Sequence, residues 1–439
     1  MVVGLGVAGE AAARQLARRG WSVVVVEDRP GPATSARAGA LASLGVEVVD
    51  APDRAVLDLL VAAAHLVVPS PPVPPGHPAT VRALDRGTPV WTEFELAARW
   101  SSVPLVAVTG TNGKTTVTTL VTDMLAASGR RTVAAGNNEL PLVDALDLEH
   151  LDVIVVEASS FRLEFTETFA PRVGTWLNLA PDHLDWHGDL EAYTAAKARL
   201  WANAGPGDVA VANAEDPVVL AAARSSAAGT ITTFGLGEGD WRVVDDRLVG
   251  PGGPFLSVRE LARDLPHDRA NALAAAATAT AAGAGADAVA SVLRSFGGLP
   301  HRITPVGEHG GVRWLDDSKA TDPHAAVTAV RGFDSVVLVA GGRNKGLDLS
   351  VLAGEVDRLR AVVAIGEATP EVVEAFAGTP VPVEAAASMD EAVARARAVA
   401  RPGDVVLLSP GCASFDWYSG YGERGDDFAR AVTEELARS

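Results

Sequence analysis

Short apolar runs recur along the chain, each followed by a glycine-rich or acidic stretch and then by apolar residues at helical spacing. The first is "MVVGLGVAGEAAARQLARRGWSVVVVEDRP". It predicts a very short strand, the turn Gly4-Leu5-Gly6-Val7-Ala8-Gly9, a helix, and a strand over 23–26 that ends at Glu27. Further strands are expected at 46–49 and 66–68, before the proline-rich "PSPPVPPGHP", which suits a rigid loop. A second block has a strand over 106–108, then Gly110 and Gly113, then Val117, Leu120, Val121, Met124 and Leu125 at helical spacing, closed by Gly129. It continues with strands at 153–156, ending in Glu157, and at 174–179. A third block predicts strands at 336–339, 362–365 and 405–408 with helical segments between them.

Strands alternating with helices predict an α/β chain with mostly parallel sheets. At 439 residues it exceeds a single core. Three domains are expected: a Rossmann-like one over 1–93, a central P-loop-type α/β domain over 94–297, and a second Rossmann-like one over 298–439. The run 270–293 is mostly alanine with glycines and threonines, and reads as a closely packed buried helical region rather than a membrane span.

Charge narrows the function classes. A net charge of −18 argues against a nucleic-acid or anionic-membrane binder. Cys412 is the only cysteine, so no intramolecular disulfide can form, which suits a reducing cytoplasm. "MVVGLGVAGE" has no basic segment leading into a long apolar core, so no secretory signal is expected there.

The candidate chemistry sits at strand ends. "VAVTGTNGKTTVTTL" has Val108 where a phosphate loop usually has its first glycine, yet it keeps the strand–loop–helix order. Phosphate would rest on the helix N-terminus, with Lys114 as a point charge and Thr115 offering a hydroxyl to magnesium. An ordinary strand-to-helix turn would not need that lysine and hydroxyl there. Glu157 ends an apolar strand, either exposed to solvent or buried and paired with a cation. In "PDHLDWHGDLEAYTAAK", His183 could ligate a cation, or cap and pack; His187 reads as structural. Lys197 lies mid-helix and reads as a surface lysine. "WLDDSKATDPHA" groups Asp316, Asp317, Ser318, Lys319 and Thr321, which suit ribose and phosphate contacts, or else an ordinary helix cap at Asp322-Pro323. "AGGRNKGLD" and "SPGCASFDWYSGYGERG" also follow predicted strands, where open sheets bind ligands. The turn at 4–9 leaves NAD or FAD, another nucleotide, and simple helix packing all open, with Glu27 or Asp28 able to accept from ribose hydroxyls.

"TGTNGKT", "EASSF", "DHLDWHG", "AAKARL", "LPHR" and "DDSKATDPHA" occur in that order over essentially the whole chain. Together they resemble the Mur ligases of peptidoglycan synthesis, the last pointing to the member that adds D-glutamate. The resemblance implies ATP and Mg²⁺ as cofactors, and UDP-N-acetylmuramoyl-L-alanine and D-glutamate as substrates. It implies a cytoplasmic monomer with no nucleic-acid or membrane partner. ATP would meet Gly110, Thr111, Asn112, Gly113, Lys114, Thr115 and Thr116, with Asn271, Arg302 and Asp317. The UDP substrate would meet Val7, Ala8, Glu27, Asp28, Arg29 and Asn137. The metal would meet Thr115, Glu157, His183 and Lys197, the last as its carbamate. Lys114, Glu157, His183 and Lys197 would form the catalytic set. Lys319, Thr321, Lys345, Ser414 and Tyr421 would recognise the amino acid.

Three stretches depart from the family pattern. Gly136-Asn137-Asn138-Glu139 replaces Gly-Asn-Ile-Gly, Ser70-Pro71-Pro72 replaces Ser-Pro-Gly, and His267-Asp268 replaces His-Asn. An NAD-dependent oxidoreductase would leave residues 110–116 unexplained. A folylpolyglutamate or cyanophycin-type ligase should not carry "DDSKATDPHA".

Overall fold

The computed structural model describes residues 1–137 and 140–438, so Asn138 and Glu139 lie outside the described residues. The chain is α/β throughout. Its contacts group into two compact units. One comprises Met1–Leu179, Trp186–Ala262 and Ala270–Phe296; the other comprises Ala180–Asp185, Arg263–Arg269 and the chain from Gly297 onward.

The first unit opens on a four-stranded parallel sheet, in the order Glu47–Asp50, Val24–Glu27, Val2–Val3, Val68–Pro69. The helix Val7–Arg18 packs closely because Gly9 lacks a side chain: a Cβ there would run into the Gly4 carbonyl oxygen. A six-stranded parallel sheet follows, in the order Thr230–Phe234, Val209–Asn213, Val173–Trp176, Leu105–Thr109, Val153–Glu157, Thr132–Gly136. Its inner strands read as near-continuous apolar runs because both faces are covered, whereas the edge strand Thr230–Phe234 is threonine-rich and partly exposed. Ile154 and Val156 enter one core, which reaches Val2 and Val25 of the first sheet; Val153 and Val155 enter another. That second core holds Val117, Leu120, Val121, Met124 and Leu125 of the helix Lys114–Ala127 against the alanines from Ala272 to Ala279. The alanine-rich run is thus a packed helix, and among the described residues no helix is long and apolar enough to cross a membrane.

Two features were not anticipated. Arg242–Val244, Arg247–Gly250 and Gly253–Ser257 form a small antiparallel sheet. Its first turn places Asp245 and Asp246 at φ 47° and 56°, the consecutive positive values of a tight hairpin. In the second unit, Thr304–His309 and Val312–Asp316 pair antiparallel across Gly310-Gly311. The rest of that six-stranded sheet is parallel, continuing Val405–Leu408, Val336–Gly341, Leu359–Ile365, Val383–Ala386. Val336, Leu338 and Ala340 face one core, and Val337 and Val339 face the other. The strand expected over 174–179 runs instead from Val173 to Trp176.

Candidate active site

The strand Leu105–Thr109 delivers the chain to a loop that only glycines can turn: Gly110 has φ +154° and Gly113 φ +87°. Asn178, two residues past the neighbouring strand, clamps this loop. Its Oδ1 accepts from the Asn112 amide at 2.9 Å, its Nδ2 donates to the Asn112 carbonyl at 3.1 Å, and its own carbonyl accepts from the Thr111 amide at 3.1 Å. Lys114 curls back over the loop, its Nζ 2.8 Å from the Gly110 carbonyl oxygen and 2.7 Å from that of Thr111. No side chain caps the helix that begins at Lys114, which leaves its N-terminal end suited to an anion. Asn271 lies against the same turn; a Cβ on Gly113 would be 2.6 Å from its Oδ1. Thr115 and Thr116 occupy the first turn of the helix.

Lys197 corrects the surface-lysine expectation. It is 1% exposed, and its Nζ donates to the Gly110 carbonyl oxygen at 2.8 Å. Two lysine ammonium groups, Lys114 and Lys197, therefore share one carbonyl. Tyr193 supports both partners: its ring lies 4.4 Å from the Lys197 Nζ, and its hydroxyl is 3.2 Å from Thr111 Oγ1. Neither Tyr193 nor Asn178 carries a motif signal of its own, and both escaped assignment to the site from sequence. His187 packs as expected of a structural residue, with Nε2 2.9 Å from Ser160 Oγ and its ring stacked on Phe161.

Glu157 is buried at the strand end, 3% exposed, which removes the solvent-exposed alternative. Asn137 reaches it twice, through Nδ2 to Oε1 at 3.1 Å and through its amide to the Glu157 carbonyl at 2.9 Å. His183 belongs to the other compact unit. Its backbone has φ +55°, its amide meets Asp182 Oδ1 at 2.8 Å, and its Nε2 lies 3.1 Å from Asp182 Oδ2. Among the described residues no group of three or more His, Cys, Asp and Glu side chains is gathered. Glu157 offers a buried carboxylate and Thr115 a hydroxyl, hard oxygen donors of the kind that suit magnesium, which keeps waters and substrate phosphates among its ligands.

The glycine turn of the first sheet is braced by Glu27. One carboxylate oxygen accepts from the Leu5 amide at 2.6 Å and the other from the Arg29 amide at 2.8 Å. Glu27 thus braces the turn through both carboxylate oxygens. Asp28 pairs with His77 Nε2 at 2.8 Å. Val7 is exposed and Ala8 buried at the helix start. The Ser70 hydroxyl is buried without a hydrogen-bond partner, 3.4 Å from where a Gly6 Cβ would stand. An orphaned hydroxyl against an uncapped helix start fits a polar ligand.

In the second unit, Asp317 is buried and accepts from Ser409 Oγ at 2.8 Å; burial pushes its carboxyl up to about 7. The Arg302 carbonyl accepts from Arg263 Nη1 at 2.8 Å. Asp268, one of the three departures, pairs with that same Arg263 at 3.2 Å. Lys319 Nζ stands 3.7 Å over the Tyr421 ring, Lys345 Nζ lies 3.8 Å from Asp182 Oδ1, and Ser414 is buried. Thr321 is half-buried, next to Asp322, which caps the helix Pro323–Val330 through the Ala325 amide at 2.9 Å.

Residues 108–254 match the family described as Mur ligase middle domain, and 301–412 match that described as Mur ligase, glutamate ligase domain. Residues 1–95 match FAD dependent oxidoreductase, a match that stops before the phosphate loop. A protein of Frankia casuarinae named "UDP-N-acetylmuramoylalanine--D-glutamate ligase" is 46% identical, over 98% of this chain and 93% of its own. Its namesake in Anaeromyxobacter dehalogenans is 42% identical over 99% and 97%. Two solved structures share the fold. UDP-N-acetylmuramate-alanine ligase of Thermotoga maritima has a TM-score of 0.59 at 19% identity, covering 100% of this chain and 98% of that one. A pseudomurein peptide ligase type C of Methanothermus fervidus has a TM-score of 0.62 at 17%, covering 99% of each. With relatives of this identity along nearly its whole length, the chain belongs to the Mur ligase family, among the UDP-N-acetylmuramoylalanine--D-glutamate ligases.

Proposed function

We propose that this ATP-dependent ligase joins D-glutamate to UDP-N-acetylmuramoyl-L-alanine in the synthesis of peptidoglycan precursors. The γ-phosphoryl of ATP passes to the alanyl carboxylate, giving an acyl phosphate. The amine of D-glutamate attacks that carbon, and phosphate leaves from the tetrahedral intermediate. The division of labour follows the expected domains: 1–93 for the UDP end, 94–297 for ATP, 298–439 for the amino acid.

The loop from Gly110 to Thr116 carries the proposal. Lys114 and the uncapped helix end neutralise charge on the transferred phosphoryl, so the protein's contribution is largely positioning and electrostatics. Asn271, Arg302 and Asp317 hold the base, phosphates and ribose of ATP. Thr115, Glu157, His183 and Lys197 as its carbamate hold magnesium, which when bound supplies charge neutralisation on the phosphates. Burial of Lys197 supports the carbamate, because a lysine captures carbon dioxide only through a neutral amine. Val7, Ala8, Glu27, Asp28, Arg29 and Asn137 hold the UDP substrate. Lys319, Thr321, Lys345, Ser414 and Tyr421 meet the glutamate carboxylates. The enzyme works as a cytoplasmic monomer on small molecules; the lone cysteine suits that location, and the net charge of −18 argues against nucleic-acid and anionic-membrane partners.

The test is phosphate release from ATP with UDP-N-acetylmuramoyl-L-alanine and a panel of amino acids of both hands. Release confined to D-glutamate is expected. Equal release with L-glutamate, or release without the UDP substrate, would overturn the assignment.

A further inference from the structure

Three loops of the second unit carry the proposed amino-acid residues, and they converge on a side chain that no motif singled out. Arg424 lies in the first turn of the helix Tyr421–Ala437 and is 1% exposed. Its Nε donates to Ser318 Oγ at 2.9 Å, its Nη2 to the Ser318 carbonyl at 2.8 Å, and its Nη1 to the Cys412 carbonyl at 3.1 Å. Ser318 Oγ in turn donates to the Tyr421 carbonyl at 2.7 Å. The third loop closes on the same group. A Cβ on Gly342, which has φ +130°, would lie 3.1 Å from Nη1 and would collide with the Ala413 carbonyl. Arg343 and Ala413 exchange backbone hydrogen bonds of 2.8 and 3.0 Å.

Each loop places its working residue close to this clamp in sequence. Lys319 follows Ser318, Ser414 lies two past Cys412, Lys345 lies three past Gly342, and Tyr421 opens the helix that carries Arg424. A planar guanidinium fixes the directions of its donors, which a lysine ammonium cannot do. Among the described residues, Arg424 forms no ion pair with a carboxylate. Burial lowers its guanidinium to about 10, so it stays charged at neutral pH. Asp316 and Asp416 lie near enough to act on this charge without forming a direct ion pair, so the guanidinium's role is set by its three fixed hydrogen bonds.

We infer that Arg424 is the positioning residue of the amino-acid site, holding together the three loops that carry Lys319, Lys345, Ser414 and Tyr421. The inference rests on the assignment of Lys319, Thr321, Lys345, Ser414 and Tyr421 to that site.

Full-length R424K and S318A are assayed by phosphate release, varying each substrate in turn, with K345A as the control for direct contact. R424K keeps the charge and loses the fork. It should raise the KM for D-glutamate about 10-fold or more, since small misplacements are costly. The KM values for ATP and the UDP substrate should stay within about 2-fold. S318A, which deletes the hydroxyl's two bonds, to Arg424 Nε and to the Tyr421 carbonyl, and leaves the guanidinium in place, should show a smaller rise confined to glutamate. In R424A, added guanidinium ion should lower the glutamate KM again. A parallel rise in all three KM values, or an unchanged glutamate KM in both R424K and S318A, overturns the role of Arg424. A rise in K345A alone overturns that role and leaves the amino-acid site standing. An unchanged glutamate KM in K345A overturns the site assignment itself.

Discussion

Replacing Lys197 by alanine separates stability from chemistry. The side chain is 1% exposed, so the substitution removes three buried methylenes, about 2.4 kcal/mol of apolar burial. Opposing terms are of similar size. Lys114 and Lys197 each donate to the Gly110 carbonyl at 2.8 Å, so their ammonium groups are less than twice that distance apart. Like charges at such a separation repel by about 3 kcal/mol at an effective dielectric of about 20. Alanine relieves that repulsion and the desolvation of a buried cation. The net change should stay below about 2 kcal/mol, and the thermal midpoint should move by only a few degrees. Activity should behave differently. A carbamate on Lys197 turns the repulsion into attraction and supplies an anionic oxygen, so its loss should reduce turnover at least ~10²-fold. Phosphate release and thermal unfolding are measured on the same preparation, then repeated with formate or acetate to fill the vacated position. If K197A turns over like the native chain in buffer depleted of carbon dioxide, the carbamate is wrong. A midpoint lowered by tens of degrees would instead make Lys197 structural.

Lys114→Ala should lower turnover at least ~10²-fold without loss of fold, and native turnover would remove the loop from the mechanism. Gly113→Ala forces a Cβ to within 2.6 Å of Asn271 Oδ1 at φ +87°, so the KM for ATP should rise; an unchanged value would show that the turn is not used. Glu157→Ala should raise the magnesium concentration needed for half-maximal rate or abolish activity, whereas an unchanged magnesium dependence places the metal elsewhere. Asp317 gives a pH signature. Its folded value of about 7 lies above the ordinary 3.8, so its contribution is complete below about pH 4 and is lost as pH rises to about 7, by about 4 kcal/mol at most. Denaturant unfolding of D317N should lack that decline, and identical pH profiles for the two proteins would refute it.

What could be read from the sequence was whatever depends on neighbours along the chain. The strand before Gly110, the helix from Lys114 and the strand that ends at Glu157 follow from apolar spacing and glycine placement. Burial of Lys197 was legible only in part, from Tyr193, Ala196, Leu200 and Trp201 at one-turn offsets or adjacent, against a mid-helix position that reads as surface. Its helix, Leu190–Ala198, lacks a strong apolar stripe, and one acceptor of its Nζ is a carbonyl 87 residues earlier. Bracing of the glycine turn by Glu27 was not legible in the sequence either. A carboxylate at a strand end can face a ligand or a backbone turn, and here the Leu5 and Arg29 amides take both oxygens. Arg424 stayed hidden for a third reason. Its acceptors are two backbone carbonyls and a serine hydroxyl, none of which leaves a compositional trace.

The lone cysteine has a practical consequence. Cys412 is 1% exposed, its carbonyl is held by Arg424, and burial pushes its thiol up to about 12. Toward maleimides and cysteine-directed warheads the folded chain is effectively thiol-free, since the thiolate is the reacting species. A cysteine introduced at any exposed position becomes a unique labelling handle with no native residue to remove. Slow modification of Cys412 itself then becomes a clock: its rate counts how often the loop beneath Arg424 opens to solvent.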